Sequence, residues 1–360
     1  MSSLILEAPS NSLSFGNVSF NFLKELYERD IDLIYFPIGG KLELESFEKS
    51  ADFSKWLKKC IDSRFKKLKK DIPTLKLWHL QGSESRIGTS QSLYTFYESS
   101  EPTEEELAII ALQDNVFLSS SYAHEKFKER GATNTHHIPI GFDTDLHKTN
   151  KSYLENRIHF GLMGKMEKRK NTIQILKAWA KKYAGNYKYQ LSCCIVNPFF
   201  SPEDMNKIIG EALGGKHYGN INFLPYLKTN KEVNDLMNSI DIDLTGLSGA
   251  EGWNLPAFNC TALGKWSIVL NSTSHKDWAT PENSILVEPT GTEDIYDDVF
   301  FKKGSGFNQG IKYTISEDLI IEKMELSESK AKINNTEGEK LSNKFTYKKT
   351  LNSLLSTINV

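Results

Sequence analysis

No apolar run in this 360-residue chain approaches the length of a membrane span, and the longest, such as Leu4–Leu6 and Ile31–Ile38, fall far short of it. The opening M-S-S-L-I-L-E-A-P lacks the basic segment and long apolar stretch of a secretory signal, and reads instead as a first strand. Cysteine is scarce. Cys60, Cys193, Cys194 and Cys260 show neither metal spacing nor a disulfide framework, so a reducing cytoplasm is the expected home. Charge of one sign is lacking too. The 44 Lys and Arg against 46 Asp and Glu leave a net −2, which excludes binding of a polyanion through overall charge. No internal repeat or low-complexity tract occurs. What remains, 39% hydrophobic and 25% charged residues, is the composition of a folded globular chain long enough for two domains.

Strand-like and helix-like segments alternate along the whole length, which predicts an α/β fold with parallel sheets. In the first half the strands are expected at Leu4–Glu7, Ile31–Pro37, Leu75–Leu80, Ser92–Tyr97, Val116–Ser119 and His136–Ile140. The intervening helices are expected at Val18–Arg29, Phe53–Lys69, Glu104–Ala111 and Tyr122–Arg130. Leu57, Cys60, Ile61, Phe65 and Leu68 would share one helix face. A polar stretch, Thr144–Arg157, reads as a linker. The second half restarts with a strand at Ile158–Met163, a basic loop, and a helix at Thr172–Tyr183. Strands at Tyr189–Val196, Ile221–Phe223, Ile240–Leu247, Ser267–Leu270 and Ser284–Val287 follow, with helices at Pro202–Leu213, Lys231–Ile240 and Pro256–Leu263. Residues 290–345 read as polar and irregular apart from a helix at Glu317–Ser327, and Phe345–Ile358 as an amphipathic helix. The expected division is 1–148, a linker at 149–157, 158–340, and a C-terminal helix in 341–360 packing back on the first domain. Ligands in such sheets sit beyond the carboxyl ends of the strands.

The richest segment is S-G-A-E-G-W-N-L-P-A-F-N, Ser248 to Asn259. It sets a carboxylate, Glu251, at a turn between a buried strand and a helix start. Amides and the positive dipole end there suit a phosphate, and the carboxylate could hold sugar hydroxyls. From these residues alone, an acidic group in an ordinary strand–helix turn is the favoured reading.

Three segments together resemble a retaining glycosyltransferase of the two-Rossmann-domain (GT-B) type, most like glycosyltransferase family 4. F-G-L-M-G-K-M-E-K-R-K-N-T-I-Q-I-L-K-A-W, Phe160 to Trp179, is similar to the family's glycine–basic–loop–Lys segment. Ser248 to Asn259 resembles its Glu-seven-residues-Glu motif, and L-G-K-W-S-I-V-L-N, Leu263 to Asn271, the strand that follows. In the first half, I-P-I-G-F-D (Ile138 to Asp143) resembles I-P-N-G-V-D with Ile140 replacing Asn, and S-L-S-F-G-N-V-S stands in place of the glycine-rich first loop. One departure stands out: the second motif glutamate, which holds the ribose in the family, is here Asn259.

The resemblance implies a nucleoside diphosphate sugar as donor substrate, front-face substitution with retention, and neither metal nor cofactor. Without a metal, cations and backbone donors must compensate the departing diphosphate. Lys165 and Lys170 would take that role, with Gly164 beside them and Arg169 facing outward; the competing reading of K-M-E-K-R-K is a solvated loop. Backbone N–H groups of Trp253, Asn254 and Leu255 would meet the phosphates, and Gly16 would allow close approach from the other domain, unless it is a plain turn glycine. Glu251 would accept donor-sugar hydroxyls. Asp241-Ile-Asp243 has the spelling of a metal site but leads into an apolar strand and reads as structural. His136-His137 has no zinc spacing.

On the acceptor side, Tyr97 or Glu98 takes the place of a His common in the family, and His79 and Gln81 end the preceding strand. The basic run Lys55, Lys58, Lys59, Arg64, Lys66, Lys67, Lys69 and Lys70 reads as the wet face of a helix or as a polyanion contact. Segments such as S-L-S-F-G-N-V-S resemble bacteriophage glycosyltransferases, some of which modify hydroxymethylated pyrimidines in DNA. DNA, in a host cytoplasm, is therefore one expected acceptor, and a glycan or lipid the other. A nucleotide-sugar epimerase would need acid/base carboxylates and His across the cleft. A catalytically silent nucleotide-sugar-binding protein would fit Asn259.

Overall fold

The computed structural model describes residues 2–40, 42–149, 151 and 153–360. Strands β1 (Ser2–Pro9), β2 (Ile31–Ile38), β3 (Thr74–Leu77), β4 (Gln91–Thr95), β5 (Asn115–Leu118) and β6 (Thr135–His137) form a parallel sheet of order β2-β1-β3-β4-β5-β6. Helices α1 (Ser14–Tyr27), α2 (Ala51–Asp62), α3 (Glu104–Ala111) and α4 (Ser121–Glu129) form its connections. A second parallel sheet, of order β12-β11-β10-β7-β8-β9, comprises β7 (Ile158–Met163), β8 (Tyr189–Cys194), β9 (Ile221–Phe223), β10 (Ile242–Asp243), β11 (Trp266–Leu270) and β12 (Ile285–Val287). Around it run α5 (Thr172–Tyr183), α6 (Pro202–Ala212), α7 (Asn230–Ser239) and α8 (Leu255–Ala262). The chain is α/β, with two Rossmann-like sheets facing across a cleft.

Both sheets are covered on both faces, which is why β1, β7 and β11 read as near-continuous apolar runs and not as alternations. Helix starts follow local chemistry. Thr103 and Glu106 form a capping box at α3, Thr229 and Glu232 another at α7, and Ser201 with Pro202 opens α6.

Several sequence expectations need correction. The basic helix stops at Asp62, where the Ser63 hydroxyl donates to Lys59 O (2.9 Å) and Arg64 Nε to Ile61 O (2.9 Å), closing the last carbonyls. Leu57 and Cys60 are buried, but Phe65 is 82% exposed and Leu68 is also exposed. The segment before the acidic motif is strand only at β10. Asp243 Oδ1 accepts from Thr245 N (3.1 Å), and Thr245–Leu247 winds into a 3₁₀ turn. Gly246 is needed there because a Cβ would lie 2.5 Å from Ile268 O. The stretch 290–345 is more ordered than its polarity suggests. It holds an antiparallel hairpin, β13 (Gly291–Asp294) with β14 (Ile311–Thr314), and helices α9 (Glu317–Ser327), α10 (Thr336–Glu339) and α11 (Leu341–Lys344).

The last helix, α12 (Tyr347–Thr357), packs on α1, with Thr350 Oγ1 donating to Pro139 O (2.8 Å) and Leu351 and Leu354 fully buried. The polar stretch after Asp143 hugs α7 through His147 N to Asn234 Oδ1 and Thr149 N to Asn238 Oδ1, both 2.9 Å. Asn150 and Ser152, within the expected linker, lie outside the described residues.

Candidate active site

Each sheet has one place where successive connections depart in opposite directions: between β1 and β3 in the first, between β7 and β10 in the second. Such switch points open a crevice at the carboxyl ends of the strands. Here the two crevices face one another and enclose a cavity of about 460 Å³. The first half supplies the turn after β1 (Asn11–Phe15), Trp78 and His79 after β3, and Phe96 and Glu98 after β4. The second supplies Gly164, Lys165, Arg169 and Lys170 after β7, and Glu251–Pro256 with Asn259 after β10.

At the centre is a buried ionic cluster. Glu251, 4% exposed, meets Arg169 Nη1 at 3.0 Å with one carboxylate oxygen and Lys170 Nζ with the other. Arg169 Nε also lies 2.8 Å from Glu167, and Nη2 3.7 Å from Glu98 of the other half. Glu167 in turn pairs with Lys165 at 2.9 Å. Three cations thus face three carboxylates. Burial pushes the Glu251 carboxyl up, but Arg169 and Lys170 outweigh it and hold the group well below the ordinary carboxylate range. Glu98 moves the other way: burial raises it, and Arg169 only partly offsets the effect. Arg169 is therefore not the outward-facing residue that its place between two lysines predicts. It is 7% exposed and donates to Ala250 O at 2.5 Å, while Lys168 takes the solvent side. The turn that directs Arg169 and Lys170 inward ends on Asn171, whose φ of 56° is left-handed.

The acidic motif is shaped by close approaches. A Cβ on Gly249 would lie 2.0 Å from Tyr313 O, and one on Gly252 2.9 Å from Phe96 Cβ. Ser119 Oγ donates to Gly252 O at 2.7 Å, so the loop is pinned to the first half. Asn254 takes φ 66° and ψ 63°, held by Nδ2 donating to Thr245 O (3.0 Å) and lying 2.9 Å from His275 Nε2. This turn starts α8 with its free amides at the cavity, where Trp253, Asn254 and Leu255 all line the wall. Asn259, 5% exposed, lines it too, and its Oδ1 has no hydrogen-bond partner among the described residues. Gly164, with φ 98°, brings β7's end to the cavity in a conformation that disfavours side chains.

Other candidates fall elsewhere. Gly16 is inside α1, and a Cβ there would sit 2.0 Å from Asn11 O, so it supports the Asn11–Phe15 turn from behind and does not line the cavity. Tyr97 is buried with its hydroxyl on Glu106 (2.9 Å), pointing away from the cavity that Glu98 lines. Strand β3 ends at Leu77, leaving His79 and Gln81 in the following turn; His79 reaches the cavity and Gln81 does not. Desolvation by the cleft walls, then Lys165, lowers the His79 pKa below the usual imidazole value. Asp243 is fully buried, and desolvation raises it to about 6. Among the described residues no group of three or more His, Cys, Asp or Glu is placed to hold a metal ion.

Sequence reasoning misses Glu167 and the aromatic wall of Phe15, Trp78 and Phe96, where Phe15 and Phe96 stack at 4.2 Å. Opposite them, Phe199 and Phe300 flank Lys165 Nζ at 5.5 and 4.9 Å from their ring centres. Phe300 comes from the β13–β14 hairpin, which also grips the first half through Thr103 Oγ1 to Gly306 O (2.7 Å) and Asn308 N to Glu106 Oε1 (2.8 Å).

No protein-family model matches the chain, and no curated protein matches it in sequence. Solved structures do match in shape. HepE of Anabaena, in complex with UDP and glucose, is 13% identical with a TM-score of 0.65, each chain covered in full. The sucrose-phosphate synthase of Thermosynechococcus elongatus is 12% identical with a TM-score of 0.68, covering 100% of this chain and 98% of its own. The lipopolysaccharide outer core galactosyltransferase WaaB is 13% identical with a TM-score of 0.59 over 99% of both chains. The fold is GT-B. At these identities the likeness is one of fold. No helix among the described residues is long and apolar enough to cross a membrane.

Proposed function

We propose that the chain is a metal-independent, retaining glycosyltransferase that moves a sugar from a nucleoside diphosphate sugar to a hydroxyl acceptor, with residues 158–340 holding the donor and 1–148 the acceptor. The observation that carries this reading is convergence: the α8 amides, Lys165, Lys170 and Glu251 meet in one cavity at the switch points of both sheets. The resemblance in the basic loop and acidic motif points the same way, as do fold neighbours that bind UDP or UDP-glucose by name.

In this mechanism the diphosphate lies at the α8 N-terminus, with Lys165 and Lys170 neutralising it. Lys170 is tied to Glu251, so donor entry shares the ammonium between carboxylate and phosphate and frees a Glu251 oxygen for sugar hydroxyls. Arg169 stays on the other oxygen and holds the carboxylate in place. The bond from the sugar C1 to the phosphate oxygen breaks, the acceptor oxygen bonds C1 on the same face, and its proton passes to the leaving phosphate. No protein nucleophile is required.

The aromatic wall of Phe15, Trp78 and Phe96 offers flat apolar faces to a sugar ring or a base. The basic segment does not belong to this wall. Lys67 pairs with Asp32 near the start of β2, and Lys70 O accepts from Thr89 N ahead of β4, at the end of the sheet away from the cavity. A strand of eight residues spans about 26 Å, so only a polymer could touch both. DNA carrying hydroxymethylated pyrimidines has that reach, and a short oligosaccharide or a lipid would use the aromatic wall alone.

Incubation with a panel of labelled nucleotide sugars, each with hydroxymethylated DNA, unmodified DNA, oligosaccharide and lipid, tests the proposal. Transfer or slow donor hydrolysis supports it. Epimer formation, or binding without turnover, replaces it with the epimerase or the silent binding protein.

A further inference from the structure

A second cavity, of about 340 Å³, lies at the opposite end of the second sheet, where Asp241 and Lys265 precede β10 and β11. Its walls carry lysines from three separate segments: Lys148 and Lys151, Lys265, and Lys332. Their charge is only half compensated. Lys332 pairs with Asp241 at 2.9 Å and Lys148 with Glu339 at 2.7 Å. Lys265 Nζ donates to a neutral carbonyl, Asn238 O, at 2.7 Å, and Lys151 has no ionic or hydrogen-bonding partner among the described residues. Four ammonium groups thus face two carboxylates, an excess of two positive charges.

Concentrating like charges in a concave, partly dry site is unfavourable unless an anion offsets it. Burial pulls the Lys265 ammonium below its usual value; Asp241 opposes this, while Lys332 and Lys148 add to it.

We propose that this cavity binds a phosphate dianion, free or as the monoester of a small molecule. Phosphate matches the excess charge, and its oxygens would accept from Lys265 and Lys151. The volume exceeds that of a lone ion and falls in the range of small-molecule pockets. The site lies apart from the cleft and does not depend on the reading of the cleft.

The test is calorimetric titration of the full chain with inorganic phosphate and with glucose 6-phosphate, at matched ionic strength in chloride. Saturable binding is expected, weakened about tenfold or more in Lys265→Met and in Lys151→Glu and unchanged in Lys168→Met, an exposed lysine outside both cavities. Lys151 is exposed, so its reversal should leave the ligand-free melting temperature unaltered and keeps the test valid if Lys265→Met folds poorly. Tighter binding of glucose 6-phosphate assigns the monoester; equal or weaker binding assigns the free ion. The proposal is overturned if neither probe binds, or if binding survives both cavity variants.

Discussion

Arg169 and Glu251 come from loops at the ends of different strands, β7 and β10, and meet at 3.0 Å in a buried pair in the cleft wall. Each is buried because the other is. Removing the guanidinium leaves three carboxylates facing two lysines, so Arg169→Met should lower unfolding free energy by about 3–5 kcal/mol. Pairing it with Glu251→Gln should recover part of that loss, with a coupling of about 0.5–3 kcal/mol in urea unfolding. Strict additivity would mean that the pair contributes no interaction of its own.

In the proposed mechanism Lys170, paired with Glu251, is the cation shared with a diphosphate. Lys170→Met should weaken UDP binding by about 1.5–3 kcal/mol, the worth of a hydrogen bond to a charged group. Calorimetry measures this directly, and Lys168→Met, on the solvent side of the same turn, should change nothing.

Asp243 governs a pH effect that can be isolated. Burial raises its folded pKa to about 6, above the unfolded value of about 3.9. Between these values the native state holds the extra proton, so stability falls as pH rises through the window. Asp243→Asn should therefore flatten the decline of unfolding free energy between about pH 4 and 6, and an unchanged slope would remove Asp243 as its source.

Gly252 touches the first half of the chain. Gly252→Ala places a methyl 2.9 Å from Phe96 Cβ and 3.2 Å from Tyr97 N, so either the loop or the Phe96 wall must shift. A loss of about 1–3 kcal/mol is expected, together with weaker acceptor use. A melting temperature equal to the parent's would show that the two halves do not meet as closely as described.

The basic segment is remote from the cavity. Reversing Lys66, Lys67 and Lys70 to Glu should leave donor binding unchanged. If DNA is the acceptor, it should reduce the salt dependence of DNA affinity by about 0.9 per lost phosphate contact. DNA activity insensitive to both salt and these reversals would remove the segment from acceptor binding.

The fold was legible where sequence pattern and local chemistry agree. The expected spans of α3, β7, α5 and β9 coincide with those observed, each bounded by a cap or a turn. Legibility failed where distant contacts decide the backbone. The bend after β10 depends on Gly246 meeting Ile268, 22 positions later, and the end of α2 on side chains closing its own carbonyls. In the site, Glu251 and the α8 start were readable because a strand–turn–helix is local. Arg169 was misread because the basic pattern does not distinguish it from Lys168: the left-handed Asn171, Glu167 of the same turn, and Glu98 and Glu251 from distant loops turn it inward. Gly16 and Tyr97 sit next to the right places in sequence, but Asn11 and Glu106 explain them better.

The most direct test of the donor site compares sugar transfer or donor hydrolysis by the parent chain and by Glu251→Gln with the best nucleotide sugar of the panel. The change removes charge but little volume and leaves the fold measurable by its melting temperature. Turnover by the parent and a fall of about a hundredfold or more in kcat in the folded variant is the predicted result. Equal turnover by the two would contradict the assignment of this cluster as the place where the sugar is held.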